Sequence, residues 1–185
     1  MRIIAGEFKG RNLLGPKSIR PTEDKVKKSL FDIFREPVLD SRFLDLFAGS
    51  GAVGIEALSR GAREVYFVEN NFNACKIIEQ NISKLRLKEQ TYKILSMDVE
   101  RAILHFHKAK EVFDLVYLDP PYYQDMAKKA LQMLSSYDIL GQNGFVIVQH
   151  HSKDRLEQES DKLKLWRTRS YSTTLLSFYS KITNL

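Results

Sequence analysis

Cysteine is nearly absent from this 185-residue chain: Cys75 stands alone, so neither a disulfide framework nor a cysteine metal cluster forms within it. Long apolar runs are missing too, and no stretch approaches the length of a membrane span. The opening Met1-Arg2-Ile3-Ile4-Ala5-Gly6 meets charge again at Glu7, too early for the apolar region of a secretory signal. Internal repeats, low-complexity tracts and linkers are also lacking. One domain over residues 1–185 and a cytoplasmic location are therefore expected. The histidines supply no metal site. His105 and His107 are two apart on an expected helix and point to different sides, while His150 and His151 end a strand on opposite faces. Cys75 and the one tryptophan, Trp166, are expected to serve packing.

What is present suits a soluble globular body: 43% hydrophobic and 28% charged residues, in a chain long enough to bury a core without cross-links. The net charge of +6 is uneven. Residues 1–36 carry nine Lys/Arg against five Asp/Glu, residues 37–150 thirteen against fourteen, and residues 151–185 seven against four. Basic ends around a near-neutral middle suit a polyanion held against the flanks of a catalytic body. The same pattern also serves plain solubility.

Taken in order, residues 1–20 read as a basic arm or small hairpin with glycine turns at Gly6 and Gly10. Phe8 is expected to pack on the body. Arg20-Pro21 is extended, and Thr22 is expected to cap a helix whose apolar stripe is Val26, Leu30, Ile33 and Phe34, ending near Pro37. Strands and helices then alternate, the signature of a parallel doubly wound sheet. Strands are expected at 43–47, 65–68, 92–95, 112–118 and 145–148, with helices at 52–59, 71–85, 99–107 and 126–134. Segments 163–169 and 174–179 read as a final antiparallel hairpin. The expectation is an α/β, mostly parallel, seven-stranded sheet with a short N-terminal β-arm (1–20) and a body at 21–185.

The most specific stretch is Asp119-Pro120-Pro121-Tyr122, which follows the apolar run Val112 to Leu118 directly. Prolines cannot continue a ladder, so the acid is held at the carboxyl end of a buried strand, where open α/β sheets bind ligands. An exocyclic amine on a nucleobase is a poor nucleophile because its lone pair is delocalised into the ring. Hydrogen bonds from its N–H groups to the Asp119 carboxylate and the Pro120 carbonyl favour a pyramidal nitrogen, and the Tyr122 ring can stack on the base. A Pro-Pro turn that only stops a strand is the plainer alternative.

A glycine turn closes the first strand. Gly49-x-Gly51-x-x-Gly54 matches the dinucleotide fingerprint in letters, which a tight, closely packed turn explains equally well. Three acids point instead to S-adenosylmethionine. Asp45 is suited to a cationic amine, Glu69 at the end of the second strand to both ribose hydroxyls, and Asp98 at the end of the third to the adenine amine, with Met97 beside the ring. The cofactor set is Asp45, Phe47, Ala48, Gly49, Ser50, Gly51, Glu69, Asn70, Met97 and Asp98. Asp45 and Asp119 are expected side by side on neighbouring strands, with catalysis by positioning and preset polar groups. A nicotinamide oxidoreductase would leave Asp119 to Tyr122 without a role.

Arg2-Ile3-Ile4-Ala5-Gly6, Gly10-Arg11, Arg20-Pro21-Thr22, Leu30-Phe31, Asp45 to Gly51, Glu56 to Ala62 and Asp119 to Tyr122 together resemble the RsmD family, and the resemblance weakens after about residue 150. It implies a class I, Rossmann-like methyltransferase acting on a guanine 2-amino group of 16S ribosomal RNA, naked or in the small subunit. The catalytic set would be Asp119, Pro120, Pro121 and Tyr122. Arg2, Lys9, Arg11, Arg20, Thr22, Lys25 and Lys28 would meet RNA, with no metal. Family arginines after Thr22 are here Lys25 and Lys28, which keep charge but lose the bidentate fork. The alternatives are a DNA adenine-N6 methyltransferase, disfavoured by the lack of a target-recognition domain, and a non-catalytic RNA-binding or assembly factor. A monomer is expected.

Overall fold

Buried apolar alternation sets the sheet. Phe43, Val65, Phe67, Leu115, Tyr117 and Ile147 face one way, and Leu44, Leu46, Tyr66, Val68, Val116, Leu118, Val146 and Val148 face the other. With both faces apolar, each must be covered, and the covers are helices. The computed structural model describes residues 1–15, 21–121 and 125–182, with the backbone alone at 21–24. Its elements are α1 (Pro21–Ile33), β1 (Arg42–Leu46), α2 (Ala52–Ser59), β2 (Glu64–Glu69), α3 (Phe72–Leu85), β3 (Tyr92–Ser96) and α4 (Val99–Lys108). They continue with β4 (Phe113–Leu118), α5 (Met126–Ser136), β5 (Leu140–His151), β6 (Glu159–Ser160), β7 (Leu163–Tyr171) and β8 (Thr174–Lys181). Among the described residues, no helix is long and apolar enough to cross a membrane.

The strand order is β3-β2-β1-β4-β5-β8-β7-β6. Strands β1 to β5 run parallel, and β8, β7 and β6 add antiparallel. Helices α1, α2 and α3 cover one face, α4 and α5 the other. The chain leaves β1 toward β2 and β3 and returns on its other side as β4, so the switch point lies between β1 and β4. A crevice opens there at the carboxyl ends of the strands.

Four expectations change in detail. Helix α1 begins at Pro21, so Pro21 takes the first helical position that suits its fixed φ, and Thr22 lies inside the first turn rather than at the cap. Among the described residues the sheet has seven full strands and an eighth, the two-residue β6. Strand β5 starts at Leu140, five residues early. Its register against β4 jumps from Phe113–Leu140 to Leu115–Phe145, and Gly141 and Gly144 sit within that irregularity. Asn71 caps α3, accepting N–H bonds from Asn73 and Ala74, rather than beginning it.

Within the arm an antiparallel bridge joins Arg2 to Asn12 and the Gly10 N–H donates to the Ile3 carbonyl at 2.8 Å, and the body grips it from outside. Glu56 of α2 is fully buried (0% exposed). Its carboxylate accepts the Ile4 and Ala5 N–H groups at 2.8 and 3.0 Å and pairs with Arg60 at 2.8 Å and Lys27 at 3.4 Å. Lys27 also donates to the Arg2 carbonyl at 2.9 Å. Ser59, one turn on, accepts from the Phe8 N–H and donates to the Ala5 carbonyl. A Cβ at Gly6 would fall 1.7 Å from the Ser59 carbonyl oxygen, so only glycine lets the arm lie this close. On α3, Asn81 accepts from the Leu14 N–H at 2.7 Å and donates to the carbonyls of Leu14 and Ser50, both at 3.0 Å.

Removing Glu56 strands the buried Lys27, the half-buried Arg60 and two backbone donors. Glu56→Ala is therefore expected to lower stability by about 3–5 kcal/mol, against about 0.5 kcal/mol or less for an exposed change such as Glu79→Ala. Urea unfolding of the two variants beside the parent measures both.

Candidate active site

At the switch point the chain ends β1 on Asp45-Leu46 and turns at Phe47, whose φ of 63° lies in the left-handed region. For a bulky residue that conformation is strained, by roughly 1–3 kcal/mol, and such strain gathers at ligand sites. The turn aims the Phe47 ring so that it lines both clefts at the carboxyl edge. The three glycines that follow do different things. A Cβ on Gly49 would meet nothing within 4 Å, so its bare backbone faces open space. A Cβ on Gly51 would press Ile78 and Phe67 at 3.2–3.3 Å, and one on Gly54 would overlap the Phe67 ring at 2.3 Å. Gly51 and Gly54 let α2 close on the sheet, and Gly49 keeps a cleft wall low.

Asp45 is buried, 1% exposed, and accepts the Gly54 N–H at 2.9 Å. Burial first, then the nearby Asp119 and Glu69 charges, together push its carboxyl up to about 8 against the lowering effect of the Gly54 bond. Register places Asp45 opposite Tyr117, so Asp119 lies two residues further along its strand, about 7 Å toward the mouth. The two acids are thus neighbours set at different depths, not side by side. Glu69 ends β2 and accepts the Gly49 and Asn71 N–H groups, each at 2.8 Å. Asp98 caps α4 through the Arg101 N–H at 2.9 Å and pairs with that residue's guanidinium at 3.3 Å.

Two clefts meet over these residues, sharing Phe47, Glu69, Asn70 and Met126. The first, about 630 Å³, runs past Met97, Asp98 and Val99. The second, about 490 Å³, contains Gly49, Asp119, Pro120, Pro121 and Gln149. Both volumes suit a nucleoside-sized ligand. Of the expected cofactor residues, Phe47, Gly49, Glu69, Asn70, Met97 and Asp98 line a cleft, and Asp45 lies at the base of the turn. Ala48, Ser50 and Gly51 shape that turn and line neither cleft. Arg2, Lys9, Arg11, Lys25 and Lys28 are exposed, with Lys28 paired to Asp32 at 2.7 Å. Arg20, Tyr122 and the Thr22 side chain lie outside the described residues. Among the described residues no His/Cys/Asp/Glu group is arranged to hold a metal. His150 is buried on Ser177, and burial holds it below the usual imidazole range.

Sequence reasoning missed Glu56, Asn81 and Gln149. Glu56 carries a readable signal, one acid in the otherwise apolar helix Ala52 to Leu58, where a buried charge demands partners. Gln149 follows Val146-Ile147-Val148 and is likewise a polar residue continuing an apolar strand. Its carboxamide oxygen accepts the Tyr117 hydroxyl at 2.9 Å, which orients the amide inside the second cleft. Asn81 carries no comparable local signal.

The folded Asp45 titrates near 8 against an ordinary 3.8. The folded state therefore holds its proton where the unfolded chain has released it, and stability falls as pH rises from about 4 through about 8. Asp45→Asn keeps an oxygen for the Gly54 N–H and carries no charge. The variant is expected to gain on the parent by roughly 1 kcal/mol per pH unit across that window, read as the difference between urea unfolding curves at pH 5, 6, 7 and 8.

Residues 1–180 match the family described as "Conserved hypothetical protein 95". YlbH of Bacillus subtilis is 37% identical over 183 residues, covering 98% of this chain and 99% of its own. Ribosomal RNA small subunit methyltransferase D of Haemophilus influenzae is 34% identical over 154 residues, 80% of this chain and 78% of its own. The solved structure of yhhF from Escherichia coli superposes with a TM-score of 0.84 at 26% identity, over 98% of this chain and 97% of that one. The Thermus thermophilus 16S rRNA N2 G1207 methyltransferase RsmC, solved with AdoMet and guanosine, shares the fold at a TM-score of 0.72 and 20% identity, over 92% of this chain and 45% of that one. A family match across almost the whole chain, with a relative of the D-type methyltransferases at more than a third identity, settles its kinship: the protein belongs to the RsmD family.

Proposed function

We propose that this protein transfers a methyl group from S-adenosylmethionine to the 2-amino group of a guanine in 16S ribosomal RNA. The observation that carries this reading is the cleft in which Asp119-Pro120-Pro121 meets Gly49, Phe47 and Glu69 beside the buried Asp45. The residues present fit the cofactor. A carboxylate pushed up to about 8 by burial and by neighbouring acids gains most from a cationic amine. Glu69 retains acceptor capacity beyond its two backbone bonds for ribose hydroxyls, and Met97 and Asp98 suit an aromatic base with an amino group. Bound there, S-adenosylmethionine would supply an electrophilic methyl group.

In this reading the chain's own groups prepare the acceptor. The Asp119 carboxylate and the Pro120 carbonyl accept the two N–H bonds of the guanine amine and draw its lone pair out of conjugation. Pro120 and Pro121 stiffen the backbone so that both acceptors are fixed before the base arrives. Tyr122 stacks on the base. With the cofactor bound, methyl transfer to the nitrogen would leave S-adenosylhomocysteine and make that nitrogen acidic, and Asp119 and water would take its proton. Gln149, held by Tyr117, offers its amide to the edge of the same base. The arm and the start of α1 meet RNA with Arg2, Lys9, Arg11, Arg20, Thr22, Lys25 and Lys28. The chain acts as a single-domain monomer in the cytoplasm, and its relatives' action on small-subunit RNA supports that substrate.

The test is radiolabelled methyl transfer to 16S RNA and to small subunits from cells lacking this gene. N2-methylguanine is the expected product, and Asp119→Ala should lower kcat by about 10²–10³-fold while cofactor binding persists. Label on DNA adenine, or none on any RNA, would overturn the reading. A second expectation concerns pH. Asp45 must lose its proton to receive the cationic amine, so cofactor affinity in calorimetry should rise between pH 6 and pH 8 and fall by about 10-fold or more in Asp45→Asn.

A further inference from the structure

A separate cleft of about 690 Å³ runs between α1 and β7, lined by Ser29, Asp32, Trp166, Arg167, Arg169 and Tyr171 among others. Strand β6 pairs only with Leu163 and Lys164, so from Trp166 to Tyr171 β7 is a free sheet edge among the described residues. Polar and charged residues along such an edge block strand addition, which accounts for Thr168, Ser170 and for charge of either sign. Edge protection does not account for the indole. Trp166 packs against Phe145 and Phe178, with ring centroids 5.8 and 5.9 Å away, yet 44% of its surface stays exposed. The Arg167 guanidinium lies 5.7 Å from the indole centroid, and Arg169 is exposed on the same strand. Asp32 is the acid of the cleft and is already neutralised by Lys28 at 2.7 Å, so the two arginines set the sign of the field.

An exposed indole beside a guanidinium, with a second arginine further along the strand, is a platform for single-stranded nucleic acid, the ring taking a base and the guanidinium groups taking phosphates. The cleft adjoins the active-site cleft on both walls. On the strand side Tyr171 lines one and Ser172 the other; on the helix side Ser29 and Val26, one turn apart, divide in the same way. A hydrogen bond from the Tyr171 hydroxyl to Ser29 Oγ marks the saddle between them.

We propose that this cleft holds the single-stranded RNA flanking the methylated nucleotide, with a base stacked on Trp166 and phosphates on Arg167 and Arg169. The inference rests on the RNA methyltransferase reading above. Because Trp166 is the one tryptophan, fluorescence excited beyond the absorption of the eight tyrosines reports on this cleft. The full chain is titrated with a mixed-sequence single-stranded RNA about 12 nucleotides long, following fluorescence and anisotropy together. Quenching that saturates with binding is expected. The double variant Arg167→Ser, Arg169→Ser should bind this RNA about 10-fold more weakly, with a salt dependence shallower by about 1.4. Its KM for ribosomal RNA should rise in step, and its kcat and cofactor affinity should hold. RNA binding without quenching, or with the double variant unaffected, would overturn the inference while methyl transfer stood. Quenching and binding with no methyl transfer to any RNA would instead overturn the function and leave the cleft in place.

Discussion

A carboxylate sealed under the mouth of the sheet is the constraint around which this fold is arranged. Asp45 receives one backbone hydrogen bond from Gly54 and lies close to two other acids. The opposite end of the sheet shows how the same chain treats acids that serve only folding. There Arg42 gathers Glu64 at 3.2 Å, Glu111 at 2.5 Å and the Val112 carbonyl at 2.7 Å, and its own N–H goes to Asp114. At the amino edge carboxylates meet a guanidinium; at the carboxyl edge Asp45 and Glu69 meet peptide N–H groups. Peptide dipoles fix a carboxyl group in place without compensating the charge it takes on when it ionises. A cationic ligand is then worth more there than in water.

Much of this was legible in the sequence, for a physical reason. A buried parallel strand must be a short apolar run, and its end must be marked by residues that cannot continue it. Gly49 after Asp45 and Pro120 after Asp119 are such marks, so the acids at strand ends could be located from spacing alone. Relative depth could not. The two-residue offset of Asp45 and Asp119 comes from the pairing register of β1 with β4, which no local pattern encodes. The cap at Thr22 was misread because Pro21 competes with it: a proline preset to helical φ starts the helix two residues earlier. Gly141 and Gly144 precede the apolar run from Phe145, yet they lie inside the strand and allow it to change register without ending.

Contacts between segments remote in sequence were the least readable. Trp166 was expected to pack and does, but its exposed face depends on β6 stopping after two residues. Asn81 joins Leu14 to Ser50, segments 67 and 31 residues away from it. Only the folded chain brings such partners together, and their polar bonds stabilise strongly because the groups are buried.

The manner in which the arm is docked has an evolutionary consequence. Glu56, Ser59 and Asn81 all grip its main chain, through the N–H groups of Ile4, Ala5, Phe8 and Leu14. Peptide groups are the same whatever side chain they carry. Arg2, Lys9 and Arg11 can therefore be exchanged by mutation without loosening the attachment, and the surface the arm presents is free to drift or specialise while its seat on the body stays fixed.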